Sequence, residues 1–263
     1  MTIDERSTAA ATAAPAMPAT TRGASRLIVA LDGPASSGKS TVGAEAAHRL
    51  GYRFCDTGLL YRAVTWLARE RGVTPDQVDA LVPLADEVEL VADARGRLCN
   101  VHIGGDADGL DVTARVRLPA VDRAVSDYAR VPQLRSALVP RQRKIAAEGG
   151  IIMAGRDIGT VILPNADVKI YLSASPEERA RRRAMQRKLA PESAEAARIL
   201  EDLRRRDAID SGRETAPLRR ATDSVVIDTD GNAFSDTVEA LIGAIREAAS
   251  RAAGVDKRVT DGR

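Results

Sequence analysis

The chain has 263 residues, with 39 Lys and Arg against 37 Asp and Glu for a net charge of +2, and 44% of its residues are hydrophobic. That length fits one large domain, or one domain carrying an insertion, at about 150 residues per domain. The near balance of charge excludes a protein built to coat nucleic acid, 3% aromatics argue against a stacking platform for single strands, and two cysteines with two histidines leave no disulfide framework and no Cys/His zinc cluster.

Residues 1–25 are rich in Ala, Thr and Pro without helical or strand period. Asp4, Glu5 and the lack of a Leu-rich run argue against a secretory signal, so a disordered tail is expected. Order begins at Arg26. Leu27–Leu31 is an unbroken apolar run ending in Asp32-Gly33, the pattern of a strand buried on both faces. A helix is expected over 39–50, stopped by Gly51, then a short strand at Tyr52–Asp56 and a helix over Leu59–Arg71 ended by Gly72. Residues 78–85 read as helical. Val88–Ala92 and Leu98–Ile103 bracket Asp93-Ala-Arg-Gly96 as a β-hairpin. Two helices follow over 119–130 and 132–147, the second with Pro132 in its first turn.

The βα alternation then resumes. Gly150–Ala154 and Asp167–Leu172 read as strands. Pro176–Lys188 reads as a charged helix with Ser175 as N-cap and Glu177 and Glu178 in its first turn. A helix over 192–209, a strand at Ser224–Thr229 and an amphipathic helix over Ser235–Ala253 complete the chain, with a frayed end from 254. Five short apolar strands separated by helices imply an α/β fold of three layers: a five-stranded parallel sheet with helices on both faces, interrupted by an insertion at about 75–118. No apolar run reaches the roughly 18 residues that span a membrane, so a reduced, cytoplasmic protein without membrane contact is expected.

The clearest chemical signal is Gly33-Pro34-Ala35-Ser36-Ser37-Gly38-Lys39-Ser40, followed by Thr41. It matches G-x-x-x-x-G-K-[ST] between a strand and a helix, the context this phosphate-binding loop needs. Glycines let successive backbone N–H groups turn toward an anion, the helix dipole adds positive potential, Lys39 reaches the β- and γ-phosphates, and the Ser40 hydroxyl helps hold Mg²⁺. No N-K-x-D guanine reader is present, and strand 150–154 runs into Gly155-Arg156-Asp157 rather than into paired acids. That puts an arginine and a carboxylate at the carboxyl edge of the sheet, where ligands bind in open α/β folds. Arginine supplies most of the positive charge, a bias that by itself marks no site.

The segments Ile28–Thr41, Asp56–Arg62 (DTGLLYR), Gly155–Thr160 (GRDIGT), Ser175–Arg183 (SPEERARRR) and Arg206–Leu218 (RDAIDSGRETAPL) resemble, in order and over about residues 26–250, the bacterial cytidylate kinase family. The resemblance implies ATP-dependent phosphorylation of CMP and dCMP with Mg²⁺, a P-loop core, a monophosphate-binding insertion and a short lid at about 179–192. It places Thr57, Tyr61, Arg62, Ser126, Arg135, Arg156, Asp157, Arg206, Asp210 and Arg213 around CMP. Arg62, Arg135 and Arg156 resemble the arginines of the acceptor phosphate, and Ser126 and Asp157 those reading the base edge. Ala154 departs from the pattern of some members, which have an acid there, and the loop Gly104–Asp111 is longer than usual.

Phosphoryl transfer of this kind needs no covalent nucleophile; the protein positions two polyanions and neutralises them. Lys39, Arg156, Asp157, Arg206 and Arg213 are the expected catalytic set. Residues 206, 210 and 213 are spaced 4 and 3, one helix face, so Asp210 could orient both arginines. Arg179, Arg183 and Arg187 share a face of the Glu178–Arg183 charge run while Arg182 pairs with Glu178; Arg179 and Arg183 are expected to fold over ATP. The cytosine amino group needs an acceptor, which Asp157 or Asp210 can supply with the hydroxyls of Thr57 and Ser126. Cys55, Cys99 and His48 read as packed or solvated residues without catalytic partners, and Trp66 as packing. A kinase of another small acceptor, or a nucleotide-sensing or RNA-binding module, would share the loop but not need these sets. A monomer acting on small nucleotides, with no nucleic-acid partner, is expected.

Overall fold

Ile28–Asp32 (β1) is wholly apolar until its last residue, and a parallel strand lies on either side of it. The computed structural model of the chain describes residues 26–104 and 109–260, with side chains to 251. The expected tail at 1–25, residues 105–108 of the long loop and residues 261–263 lie outside the described residues.

Lys39–Leu50 (α1), Arg53–Asp56 (β2) and Gly58–Glu70 (α2) follow β1. The insertion then holds a single helical turn, Val78–Leu81 (α3), a 3₁₀ turn over Val82–Glu87, and the strands Val88–Ala92 (β3), Arg97–Ile103 (β4) and Leu110–Asp111 (β5). Pro119–Ala129 (α4) and Pro132–Ala146 (α5) lead back to Ile151–Gly155 (β6), a π-helical turn at Ile158–Ile162 and Val168–Ser173 (β7). Pro176–Gln186 (α6) and Ala194–Gly212 (α7) form a helical hairpin before Val225–Asp228 (β8) and Phe234–Thr260 (α8). Ser175 and Ser193 cap α6 and α7 by accepting the backbone N–H groups of Glu178 and Ala196, each at 3.2 Å. α8 runs past the expected end at Ala253, and α7 runs past 209.

The five expected strands form one parallel sheet in the order β2–β6–β1–β7–β8. The sheet is larger than expected. β4 pairs in parallel with β2, β3 runs antiparallel to β4, and β5 antiparallel to β4, giving eight strands among the described residues. The β2 edge would otherwise present unpaired N–H and C=O groups, and the hairpin satisfies them.

Alternation divides the core. Val29 and Leu31 of β1 and Ile152 and Ala154 of β6 pack with Val42 and Ala46 of α1 and Leu241 and Ile245 of α8. Ala30, Ile151 and Met153 face the opposite way, onto Leu60 and Val64 of α2 and Leu134 and Leu138 of α5. Trp66 belongs to this second cluster, as expected of a packing residue. A third, smaller cluster joins Ala180 and Ala184 of α6 and Ile199 and Leu203 of α7 to Ala35, so the helical hairpin is seated on the loop after β1. Among the described residues no helix is long and apolar enough to cross a membrane.

All parallel strands point their carboxyl ends the same way. Asp32, Asp56 and Gly155 therefore end neighbouring strands at one edge. Gly33 is set against that edge: its φ is +151°, and a Cβ there would lie 2.3 Å from the Leu172 carbonyl oxygen of β7. Gly33→Ala is expected to lower the free energy of unfolding by about 2 kcal/mol or more, measured by urea denaturation, because both the backbone angle and the space forbid a methyl group. Wild-type stability would show that β7 yields.

Candidate active site

The loop from Gly33 to Ser40 closes over itself through two turns with positive φ, at Ser36 (+60°) and Gly38 (+94°), the latter the N-cap of α1. Lys39 is folded beneath it. Its ammonium donates to the Pro34 carbonyl at 2.6 Å and to Ser37 Oγ at 3.1 Å. Burial, with Arg156 adding repulsion, pushes this ammonium well below its ordinary pKa. Ser40, exposed at the mouth, donates from Oγ to Asp56 Oδ2 at 2.6 Å.

Asp32, the last residue of β1, is 5% exposed. Its two carboxylate oxygens accept the backbone N–H groups of Ile158 at 2.8 Å and Gly159 at 2.7 Å. These bonds pin the π-helical turn to the sheet edge, and so fix Arg156 and Asp157 just before it. Burial outweighs the two bonds and pushes Asp32 up to about 6.

A cleft of about 490 Å³ opens above this edge, between the P-loop, α2, α4 and the α6–α7 hairpin. Nine cationic side chains and four carboxylates line it, among the described residues. The arginines are held in groups. Asp157, 4% exposed, accepts Arg135 at 2.5 Å, and the Arg135 guanidinium lies 5.0 Å over the Tyr61 ring. Asp210, 2% exposed, accepts Arg156 Nε at 3.0 Å, Ser126 Oγ at 3.3 Å and Arg213. Burial alone would raise Asp210, but Arg156, Arg213 and Arg206 hold it below the usual carboxylate range. Asp122 accepts Arg62 at 2.5 Å, Arg206 at 2.8 Å and Arg183. Its three guanidiniums likewise overcome burial and hold it well below that range. Arg206 itself is pushed down to about 10 by burial and by Arg156.

The cleft brings together Ala35, Ser36, Ser37, Gly38, Lys39, Ser40 and Thr41 with Thr57, Tyr61, Arg62, Ser126, Arg135, Arg156, Asp157, Arg183, Arg206, Asp210 and Arg213. Gly33 and Pro34 shape the loop without lining the cleft. Arg179 differs from expectation. It is 2% exposed, donates to the Ala35 carbonyl at 3.0 Å and to both oxygens of Asp207, and so braces the P-loop from behind. One helical turn on, Arg183 reaches the cleft. Asp210 holds Arg213 as expected, but its other arginine is Arg156; Arg206 turns instead to Asp122. The reason is the chain's bend at Arg213 (φ −61°, ψ 135°), beyond the end of α7, and the approach of Arg156 from β6. Arg182 pairs with Glu178 as expected, and also lines the cleft. Asp56, Arg117, Asp122 and Gln186 line it too, and none of them is among the residues expected from sequence. The spacing of Asp122 four residues before Ser126 on α4 was the available signal. Thr57 donates its hydroxyl proton to the Ala154 carbonyl at 2.9 Å, leaving the oxygen as an acceptor. Cys55 is buried and its thiol pushed up by that burial, and His48 is exposed.

Residues 29–247 match the family model described as cytidylate kinase. A cytidylate kinase of Geobacillus kaustophilus is 44% identical over 224 residues, covering 84% of this chain and 97% of that protein. One of Geobacillus thermodenitrificans is 46% identical over 224 residues, covering 84% and 96%. One of Geobacter sulfurreducens is 42% identical over 221 residues, covering 84% and 93%.

Asp32 also gives the site a pH signature. In the folded chain it keeps its proton to about pH 6, whereas the unfolded carboxyl loses it near 3.8. The folded state therefore binds more protons between those values, and stability falls as pH rises through that window. The unfolding free energy of the wild type, relative to Asp32→Asn, should drop by up to about 3 kcal/mol between roughly pH 4 and 6.5 and then level off. A flat or rising difference would contradict the raised carboxyl.

Proposed function

We propose that this chain, which belongs to the cytidylate kinase family and is a kinase transferring the γ-phosphate of ATP to CMP or dCMP, carries out that transfer in the cleft above the sheet edge. The observation that carries this reading is the shared cleft itself: the P-loop and the Asp157 and Asp210 clusters line one volume, with an excess of positive charge. At neutral pH a nucleoside monophosphate brings about two negative charges and ATP about four. That is the load an excess of five cations over carboxylates suits.

The triphosphate lies on the backbone N–H groups of the P-loop and the N-terminus of α1. Lys39 exchanges the Pro34 carbonyl for phosphate oxygens, whose negative charge favours the ammonium form that burial disfavours. Arg156, Arg206 and Arg213 surround the phosphoryl group in flight, where fixed donors cost no reorganisation. Arg62 holds the acceptor phosphate in line. Arg135, tied to Asp157 and lying over Tyr61, supports the base end of the acceptor pocket.

Base choice rests on acceptors. Asp157 gives Oδ2 to Arg135 and keeps Oδ1 for the cytosine amino group, with Thr57 Oγ1 as a second acceptor. Asp210 is already bound by three donors and holds arginines rather than the base. Uracil would set a carbonyl oxygen against these acceptors and is rejected. The α6–α7 hairpin acts as the lid, bringing Arg182 and Arg183 over the phosphates and excluding water.

Mg²⁺ fits the mouth of the loop. The Ser40 hydroxyl and the Asp56 carboxylate are hard oxygen donors 2.6 Å apart. The described residues offer no larger group of acidic, His or Cys side chains, in keeping with an ion that retains waters and phosphates as ligands. Ser40 and Asp56 would hold it, and it would supply charge neutralisation for the phosphoryl transfer. The chain works as a monomer on free nucleotides in the cytoplasm, where both substrates are found.

Assayed with ATP, Mg²⁺ and each common ribonucleoside monophosphate, the protein is expected to prefer CMP; preference for UMP, AMP or GMP would reject the substrate assignment. Lys39→Ala should cut kcat by a factor of about 10² or more with the circular dichroism spectrum unchanged. Asp157→Asn, which can present an amide N–H to a carbonyl, should reduce the CMP-over-UMP ratio of kcat/KM about 10²-fold; an unchanged ratio would remove Asp157 from base reading.

A further inference from the structure

Asp122 has no part in the roles above, yet it is bound more heavily than a surface carboxylate. Three guanidiniums meet on it from three separate elements: Arg62 from α2, Arg183 from α6 and Arg206 from α7. Arg62 and Arg206 share Oδ1, and Arg183 takes Oδ2. All four residues line the cleft. Convergence of three cations on one pair of oxygens is the arrangement that a phosphate group demands.

Each arginine spends one terminal nitrogen on Asp122 and keeps further donors. Arg62 turns its other terminal nitrogen to the Val116 carbonyl at 3.5 Å, a long contact. Arg206 Nε is buried without a hydrogen-bond partner, an unmet donor on a cleft-lining residue. A buried donor left unmet is costly, so Arg206 Nε is available to an entering anion. Neighbouring cations also repel: besides burial, Arg156 and Arg62 disfavour the charge of Arg206, and Asp122 opposes them.

Asp122 is also a bridge. Arg183 belongs to the helical hairpin seated on the P-loop, and Asp122 to α4 across the cleft. While the carboxylate holds Arg183, the hairpin and α4 are tied together.

We propose that Asp122 is an exchangeable internal anion, standing in for a nucleotide phosphate and displaced by it when substrate enters. This rests on the reading of the cleft as the phosphoryl-transfer site. The carboxylate keeps Arg62, Arg183 and Arg206 gathered and close to their working positions in the empty enzyme. A phosphate then takes their donors, satisfies Arg206 Nε, and frees Arg183 from α4. Asp122 is thus a positioning residue whose cost is competition: every anion that binds must first displace it, and apparent affinity falls by the fraction of time it is engaged.

The test is titration of inorganic pyrophosphate into the wild type, Asp122→Asn and Asp122→Glu by calorimetry, with CMP kinetics on the same preparations. Asn keeps the shape and one acceptor oxygen but loses the competing charge. It is expected to bind pyrophosphate roughly tenfold tighter and to show a lower KM for CMP without a rise in kcat, while Glu, which restores the charge, returns both toward wild type. Pyrophosphate binding by Asn that is unchanged or weaker would overturn the proposal, because it would make Asp122 a permanent brace. Should Asn fail to fold, a crystal of the wild type soaked in pyrophosphate decides: loss of at least two of the three Asp122 ion pairs supports exchange, and persistence of all three overturns it. Failure of the underlying reading looks different, since a wild type that makes no CDP leaves the pyrophosphate result standing.

Discussion

The structure has to hold many like charges in one small volume before any substrate arrives. Eight arginines and a lysine line the cleft, and guanidiniums left to themselves would spread apart or swing into water. Three buried or half-buried aspartates prevent this. Asp157 takes Arg135, Asp210 takes Arg156 and Arg213, and Asp122 takes Arg62, Arg183 and Arg206. Breaking such a pair from one side strands a charge in low dielectric, so each aspartate is costly to lose even where the pair adds little net stability. If transfer takes place in this cleft as proposed, its preorganisation and the folding of this region are one problem with one solution.

The scaffold makes that solution possible by stacking strand ends. β2, β6 and β1 are neighbours in a parallel sheet, so Asp56, Gly155 and Asp32 end side by side, and the segments leaving these strands enter the same crevice. Asp32 then couples two of these ends by taking the N–H groups of Ile158 and Gly159. On the other side, the helical hairpin is bound to the P-loop by small alanines and by Arg179 on the Ala35 carbonyl. Any movement of that hairpin would therefore be transmitted to the P-loop.

The range of each interaction decides whether it is legible in the sequence. The P-loop was legible because it is a local backbone device, eight consecutive residues between a strand and a helix. β1 and β6 were legible because burial on both faces leaves unbroken apolar runs, whereas β2, β7 and β8 are only partly buried and showed as short apolar stretches between helices. The pairing of β4 with β2 was not, since an edge contact between Phe54 and Arg97 leaves no mark in either segment. Arg179 and Arg183 have the same helical spacing and the same residue type. Only the packing of α6 on Ala35 decides that the first is a buried brace and the second faces the cleft. Asp122 was hidden more deeply: its partners lie 60, 61 and 84 residues away, and its place one helical turn before Ser126 is the sole local mark of it.

Donor and acceptor phosphates must meet in this cleft if the chain is to transfer one to the other. Binding of a bisubstrate compound, adenosine and cytidine joined through five phosphates, measures that meeting directly. If both sites share the cleft, the compound should bind about 10²- to 10⁴-fold tighter than ATP or CMP alone, because the second half is captured at high effective concentration. Affinity no better than that of ATP alone would mean that the two nucleotides do not lie end to end here.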